Sequence, residues 1–150
     1  MIRPSIPRII HLLEDPNLYC RSNALKIISQ LAGNKEFYDV IRPAIPQFID
    51  MLEDINTYCR LHALKIISQL AMHGEHRDMI LPAIPPIIHM LEDEDSSLRL
   101  NVLKGLFQFA EHVGFHDAIC SAILPIVDML ENEDATLRLA AVRVLDQLSD

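Results

Sequence analysis

The chain repeats itself every 39 residues, and few features restrict a fold more tightly. IRPSIPRIIHLLED begins at Ile2, IRPAIPQFIDMLED at Ile41, ILPAIPPIIHMLED at Ile80 and ICSAILPIVDMLEN at Ile119, with no insertion or deletion. Residues 3–41 and 42–80 are identical at 24 of 39 positions. A fixed period of roughly 20–50 residues marks a solenoid, in which each unit buries its apolar face only by stacking on its neighbours. Such proteins act through surfaces, so the sequence speaks more clearly about mode of action than about partner.

Residues 42–80 show how one unit is built. From Ala44 to Glu53, Ile45, Phe48, Ile49 and Leu52 fall at helical spacing, with Gln47 and Asp50 facing away. Pro46 suits a first helical turn, where a missing N–H is no loss. A polar turn follows, and Asn56 stands where a helix N-cap belongs, as do Asn17, Asp95 and Asp134. A second helix is expected over 57–71, burying Cys59, Ala63, Ile66, Ile67 and Leu70. Gly33, Gly74 and Gly114 are expected to punctuate helix C-termini. Segments 36–41, 75–80 and 115–119 each suffice for one short extra helical turn, and no strand signal competes.

Composition narrows the function. At 150 residues the chain reads as one domain. A net charge of −8 argues against a nucleic-acid backbone as the main ligand. The start MIRPSIPRI lacks a signal-peptide layout, and no uncharged apolar run approaches the roughly 20 residues that cross a membrane. The three cysteines are expected as free thiols, Cys20 and Cys59 as small core residues, which favours a reducing, cytoplasmic setting. Among seven histidines, His73 and His112 share one repeat position with His76 and His116 close by; none has zinc-ligand spacing, and they are read as incidental surface residues, while His11 and His89 fall on an outer face. Acidic runs such as Glu92–Asp95 and Glu131–Asp134 are read as helix-capping turns, since they lack a calcium loop's central Gly and terminal Glu. With no phosphate loop, nucleophile elbow or paired carboxylates, neither an enzyme nor a cofactor or metal is expected.

AIPQFIDMLED followed by ALKIISQLA resembles an armadillo repeat, whose pattern is A-I-P-x-L-V-x-L-L and then A-L-x-x-L-S-N-L-A. The six-residue spacing of Asp15 to Arg21, Asp54 to Arg60 and Asp93 to Arg99 is equally similar to a HEAT repeat, where such residues form a buried ladder. The fourth repeat departs, with Asn132 ahead of Arg138. The resemblance implies an all-α, right-handed α-α superhelix as one solenoid domain, with repeats 3–41, 42–80, 81–119 and 120–150. It also implies that the second long helix of each repeat lines the concave face.

The open positions of those helices then form ladders. Lys26, Lys65, Lys104 and Arg143 make a basic one, and Gln30, Gln69, Gln108 and Gln147 an amide one. Ser22, Leu61, Leu100 and Leu139 make a third; Asn23, His62, Asn101 and Ala140 a fourth; Tyr19 and Tyr58 begin a fifth, continued by Ser97 and Thr136. Two readings of the basic ladder stay open: a solvated face, or a cationic strip for an acidic, extended peptide whose main chain the glutamines would meet. In peptide-binding armadillo proteins such as importin-α, an Asn holds the ligand backbone and a Trp one turn earlier sandwiches its lysines. Gln69 and Lys65 stand at those positions in the second repeat, and the chain has no Trp, so the resemblance implies acidic or mixed ligands rather than basic ones.

Neither end trades its outward apolar residues for polar ones. The first long helix keeps Ile6, Ile9, Ile10 and Leu13; the last keeps Leu139, Val142, Val144, Leu145 and Leu148. Either the chain is cut from a longer array or copies associate end to end. Two functions are therefore carried forward: a non-catalytic scaffold binding a protein or peptide, and a self-assembling repeat segment that forms homo-oligomers through its terminal repeats. The second reading admits an engineered array as well as a natural fragment.

Overall fold

The computed structural model describes residues 2–149, and no strand occurs among them. Met1 and Asp150 lie outside the described residues. Two compact units divide between Ile80 and Leu81, which is also a repeat boundary in the sequence.

The first unit contains α1 (Ile6–His11), α2 (Leu18–Leu31), α3 (Tyr38–Ile41), α4 (Ile45–Met51), α5 (Thr57–Ala71) and α6 (Arg77–Ile80). Helix α2 packs along α5, α4 packs on α5, and the short α3 and α6 close against α1 and α4. The second unit contains α7 (Ile84–His89), α8 (Ser96–Ala110), α9 (His116–Ile119), α10 (Ile123–Asp128) and α11 (Ala135–Ser149). There α8 packs along α11, and α9 closes against α7 and α8.

Helix α5 has the bounds expected from its pattern. Its side chains Cys59, Ala63, Ile66, Ile67 and Leu70 are fully buried. Each such aliphatic side chain stabilises the fold by roughly 1.5–3 kcal/mol relative to exposure. The first long helix is shorter than its pattern suggested. Residues 42–44 wind as a 3-10 turn before α4, with proline in that turn and again at the start of α4. Ile49 is only half-buried, and Met51 joins the core. Cys20 is likewise half-buried where its equivalent Cys59 is buried.

The expected N-caps all form. Oδ1 of Asn17 accepts from the Tyr19 N–H at 2.8 Å, that of Asn56 from Cys59 at 3.1 Å, that of Asp95 from Ser97 at 2.8 Å and that of Asp134 from Thr136 at 2.8 Å. Each satisfies a donor that the helix itself leaves open. The glycines behave differently from expectation. No glycine among the described residues has a positive φ. Helices α2, α5 and α8 end at Ala32, Met72 and Glu111, all right-handed, and the chain passes into the next 3-10 turn. Backbone bonds such as Asn34 N–H to Leu31 O and His112 N–H to Phe109 O, both 3.0 Å, replace the left-handed cap.

The helical stretch Val113–Glu131 is apolar and long enough to cross a membrane by length and composition alone. It is a succession of short 3-10 and α turns, and it buries Phe115, Ile119, Ala122 and Ile126 inside the protein.

Candidate functional site

The polar turns between long helices are built by their own carboxylates and amides. Oδ1 of Asp15 accepts the Asn17 N–H at 2.7 Å, and Asp54, Asp93 and Asn132 accept the N–H two residues on at 2.8–2.9 Å. The acidic residues at these positions therefore hold the chain at the helix starts, as the sequence suggested. In the first unit Arg21 reaches from α2 to Asp54 of the next turn at 3.2 Å.

On the open side of α2, Tyr19, Asn23, Lys26 and Gln30 are exposed. On α5, Tyr58 and Lys65 are exposed, while Leu61, His62 and Gln69 are half-buried rather than open. Lys26 and Lys65 both lie near His62. Burial is the main reason its imidazole resists protonation, and the charges of Lys65 and then Lys26 push the same way. Gln69 has withdrawn towards the preceding repeat. Its Oε1 is buried without a hydrogen-bond partner, and its Nε2 lies 3.8 Å from where a Cβ on Gly33 would sit. Asn23 spends one amide hydrogen on its own helix, donating to Tyr19 O at 2.8 Å.

In the second unit Lys104 and Arg143 are exposed, as is Leu139, while Leu100, Asn101, Gln108 and Gln147 are half-buried. Asn101 repeats the fold-back of Asn23, donating to Ser97 O at 2.8 Å. Among the remaining ladder positions Ser22 and Ala140 are half-buried, and Ser97 and Thr136 are exposed.

A second polar cluster escaped the sequence reading. Lys35, Tyr38, Asp39, Arg42, His73, Glu75 and His76 line a cavity of about 440 Å³ in the first unit. The Tyr38 hydroxyl is hydrogen-bonded to His73 Nε2, and the Tyr38 ring stacks tilted on His73 at 4.7 Å and edge-on to His76 at 5.7 Å. These are not incidental surface histidines. His76 is 1% exposed, and neither ring nitrogen has a hydrogen-bond partner. Its period equivalents are Phe37 and Phe115, both buried, so alignment at the repeat offset carried the signal. His116 is also engaged, through Nε2 and Ala110 O at 2.6 Å; His11 and His89 are exposed as expected.

Comparison with known proteins gives one family and one fold. The model described as Adaptin N terminal region matches residues 1–150. No curated protein matches. A designed armadillo repeat protein in complex with the peptide (KR)4 is similar in structure at a TM-score of 0.85 and 18% identity, covering 95% of this chain and 63% of that one. An engineered protein solved as a crystal structure gives a TM-score of 0.84 at 17% identity, over 97% of this chain and 62% of that one. Computationally designed armadillo repeat proteins for modular peptide recognition give 0.81 at 18%, over 95% and 63%. The chain spans less than two thirds of the length of each. At these identities the likeness establishes an all-α fold of the armadillo solenoid type.

Proposed function

The chain belongs to the adaptin N-terminal-region family of helical repeats, and from that premise we propose that it is a non-catalytic scaffold that binds a peptide or partner segment along the open sides of its second long helices. One observation carries this reading. In a chain of net charge −8, Lys26 and Lys65 project on one side of the first unit, close enough for both to disfavour protonation of the same histidine. Exposed cations thus recur at one repeat position, as Lys26, Lys65, Lys104 and Arg143. Tyr19 and Tyr58, at 74% and 65% exposure, add amphipathic rings beside them. Gln30, exposed on α2, supplies donors and an acceptor for an extended main chain. In the second unit Lys104 and Arg143 are likewise exposed.

The occupant this face suits is an acidic protein segment, not nucleic acid or a membrane. The (KR)4 complex belongs to a protein only 18% identical, and the lysines here would repel such a peptide. Free thiols at Cys20, Cys59 and Cys120 support a cytoplasmic setting, and the reading involves no cofactor.

The test is a titration of fluorescent peptides, one rich in Glu and Asp and one of alternating Lys and Arg, at low and physiological salt. The acidic peptide is expected to bind more tightly, with affinity falling as salt rises. Reversing Lys65→Glu and Lys104→Glu together should weaken it roughly tenfold or more, chiefly through the on-rate. Unchanged affinity would put the site elsewhere.

A further inference from the structure

We propose that the cavity beside Tyr38, His73 and His76 binds a phosphate monoester, carried on a phosphorylated side chain of a protein segment. The phosphate site uses none of the ladder residues and goes beyond the peptide-binding reading. Only the choice of a protein as carrier rests on that reading.

Packing does not call for a histidine at position 76. Its equivalents Phe37 and Phe115 are buried, and Phe115 fills its place by lying edge-on to Phe109 at 5.1 Å. His76 is equally buried, at 1% exposure, and brings two ring nitrogens with no hydrogen-bond partner among the described residues. Unmet nitrogens in a cavity wall cost free energy unless an occupant of the cavity meets them. A neutral imidazole offers such an occupant one N–H donor and one acceptor.

The cations of this cavity are not spent on the fold. In the first repeat Arg3 donates to Glu36 O and to the Asp39 carboxylate, both at 2.5 Å. Arg42 is the equivalent of Arg3, and the same partners for it would be Glu75 O and Asp78. Instead its Nε donates to Met79 Sδ at 3.4 Å, a weak acceptor, while Asp78 lies beside Arg77 at 3.7 Å. Lys35 is exposed and has no ion pair among the described residues. Its equivalents are Gly74 and Val113, so this cation belongs to one linker alone. Of the two carboxylates in the lining, Asp39 is held by Arg3, which leaves Glu75 against Lys35 and Arg42.

A guanidinium, an ammonium and an imidazole N–H around one cavity suit a phosphate monoester, with three acceptor oxygens and a charge of about −1.5 to −2. A carboxylate brings fewer oxygens and less charge to the same donors. The volume of about 440 Å³ exceeds what a bare phosphate fills and leaves room for the side chain that carries it.

Isothermal titration calorimetry with free phosphoserine and with a phosphoserine peptide tests this on the full chain. Three variants each take the residue that another repeat holds at that position: His76→Phe, Arg42→Leu and Lys35→Val. Both ligands should bind the wild type, and each variant should weaken them roughly tenfold. Urea unfolding of each variant confirms that the fold is kept. Lys65→Glu with Lys104→Glu should leave free phosphoserine binding unchanged, so the cavity and the ladder fail or succeed separately. No binding of either ligand at millimolar concentration would overturn the proposal, and so would variants that bind as tightly as the wild type. Vesicles of neutral lipid with phosphatidic acid are the third probe. Binding to them that His76→Phe abolishes, without binding of the phosphopeptide, would overturn the protein carrier in favour of a membrane.

Discussion

Arg21 donates from Nε to Asp54 Oδ2 at 3.2 Å, and the same guanidinium donates from Nη1 to Asp15 O at 3.0 Å and Pro16 O at 3.1 Å. One side chain thereby ties the turn of its own repeat to the turn of the next. Asp54 is held from its other oxygen by the Asn56 N–H at 2.9 Å. The arginine and aspartate side chains are 17% and 12% exposed, so solvent screens the pair little. Replacing Arg21 by Ala strands a shielded carboxylate and two backbone carbonyls, and is expected to cost about 1–3 kcal/mol in urea unfolding. The exposed pair Arg3–Asp39 is the control. With side chains 43% and 70% exposed, Arg3→Ala should cost about 0–1 kcal/mol. Equal losses would mean that burial does not set the value of these pairs.

The second unit carries the same device with its acceptor missing. Asn132 stands where the ladder requires Asp54's equivalent, and the facing arginine is Arg99. Asn132 keeps the turn, accepting the Asp134 N–H at 2.8 Å, but its remaining group is an amide donor. Arg99 Nε is buried without a hydrogen-bond partner. Asn132→Asp restores an acceptor without disturbing the turn, as Asp15, Asp54 and Asp93 show. It should stabilise the chain by about 1 kcal/mol, read as a rise in Tm. No gain, or a loss, would show that Arg99 already has an adequate partner through its other nitrogens.

Much of this was legible in the chain. The 39-residue offset located every long helix, and Asn17, Asn56, Asp95 and Asp134 marked the starts of the second helices to the residue. Periodicity divides a helix into two faces, but packing has more grades than two. Leu61, His62 and Gln69 read as open and are half-buried. The glycines misled, since a 3-10 turn can take up the carbonyls at a helix end without a left-handed residue. The Tyr38–His73–His76 cluster was hidden for a different reason. Reading His76 by residue type suggests a surface group; reading it by its place between Phe37 and Phe115 gives a core position.

That placement has a consequence for pH. Burial, reinforced by Arg42 and His73 and opposed by Glu75, holds the His76 imidazole below its ordinary value of 6.5. The unfolded chain therefore binds a proton at this residue more readily than the folded one. Stability is full above about pH 6.5 and falls as pH drops through that value, until the lower folded-state value is passed. His62 is depressed in the same direction, first by burial and then by Lys65 and Lys26, and adds to the loss. His76→Phe restores the residue type of the equivalent positions and removes two unpartnered nitrogens. It should raise stability by about 1–3 kcal/mol at neutral pH and make the acid loss shallower, without abolishing the share due to His62. Urea unfolding at several pH values from neutral down to mildly acidic measures both effects. Parallel pH profiles for the two proteins would rule out His76 as a contributor.

The three thiols should react in the order of their surroundings. Cys120 is exposed, Cys20 half-buried and Cys59 fully buried. Burial pushes the Cys59 thiol up from its usual range, with the charge of Asp54 acting in the same direction and Arg21 opposing it. Thiolate is the reactive form, so Cys59 is slowed twice, by access and by protonation. A chromogenic aromatic disulfide should label Cys120 first and Cys20 more slowly. Cys59 should be labelled only as fast as the surrounding helices open, and immediately once denaturant is added. Arg21→Ala should speed that last phase, because it loosens the turn that holds Asp54 against the same helix start. A Cys59 rate matching that of Cys120, or untouched by Arg21→Ala, would mean that opening around α5 is not governed by the junction the arginine spans.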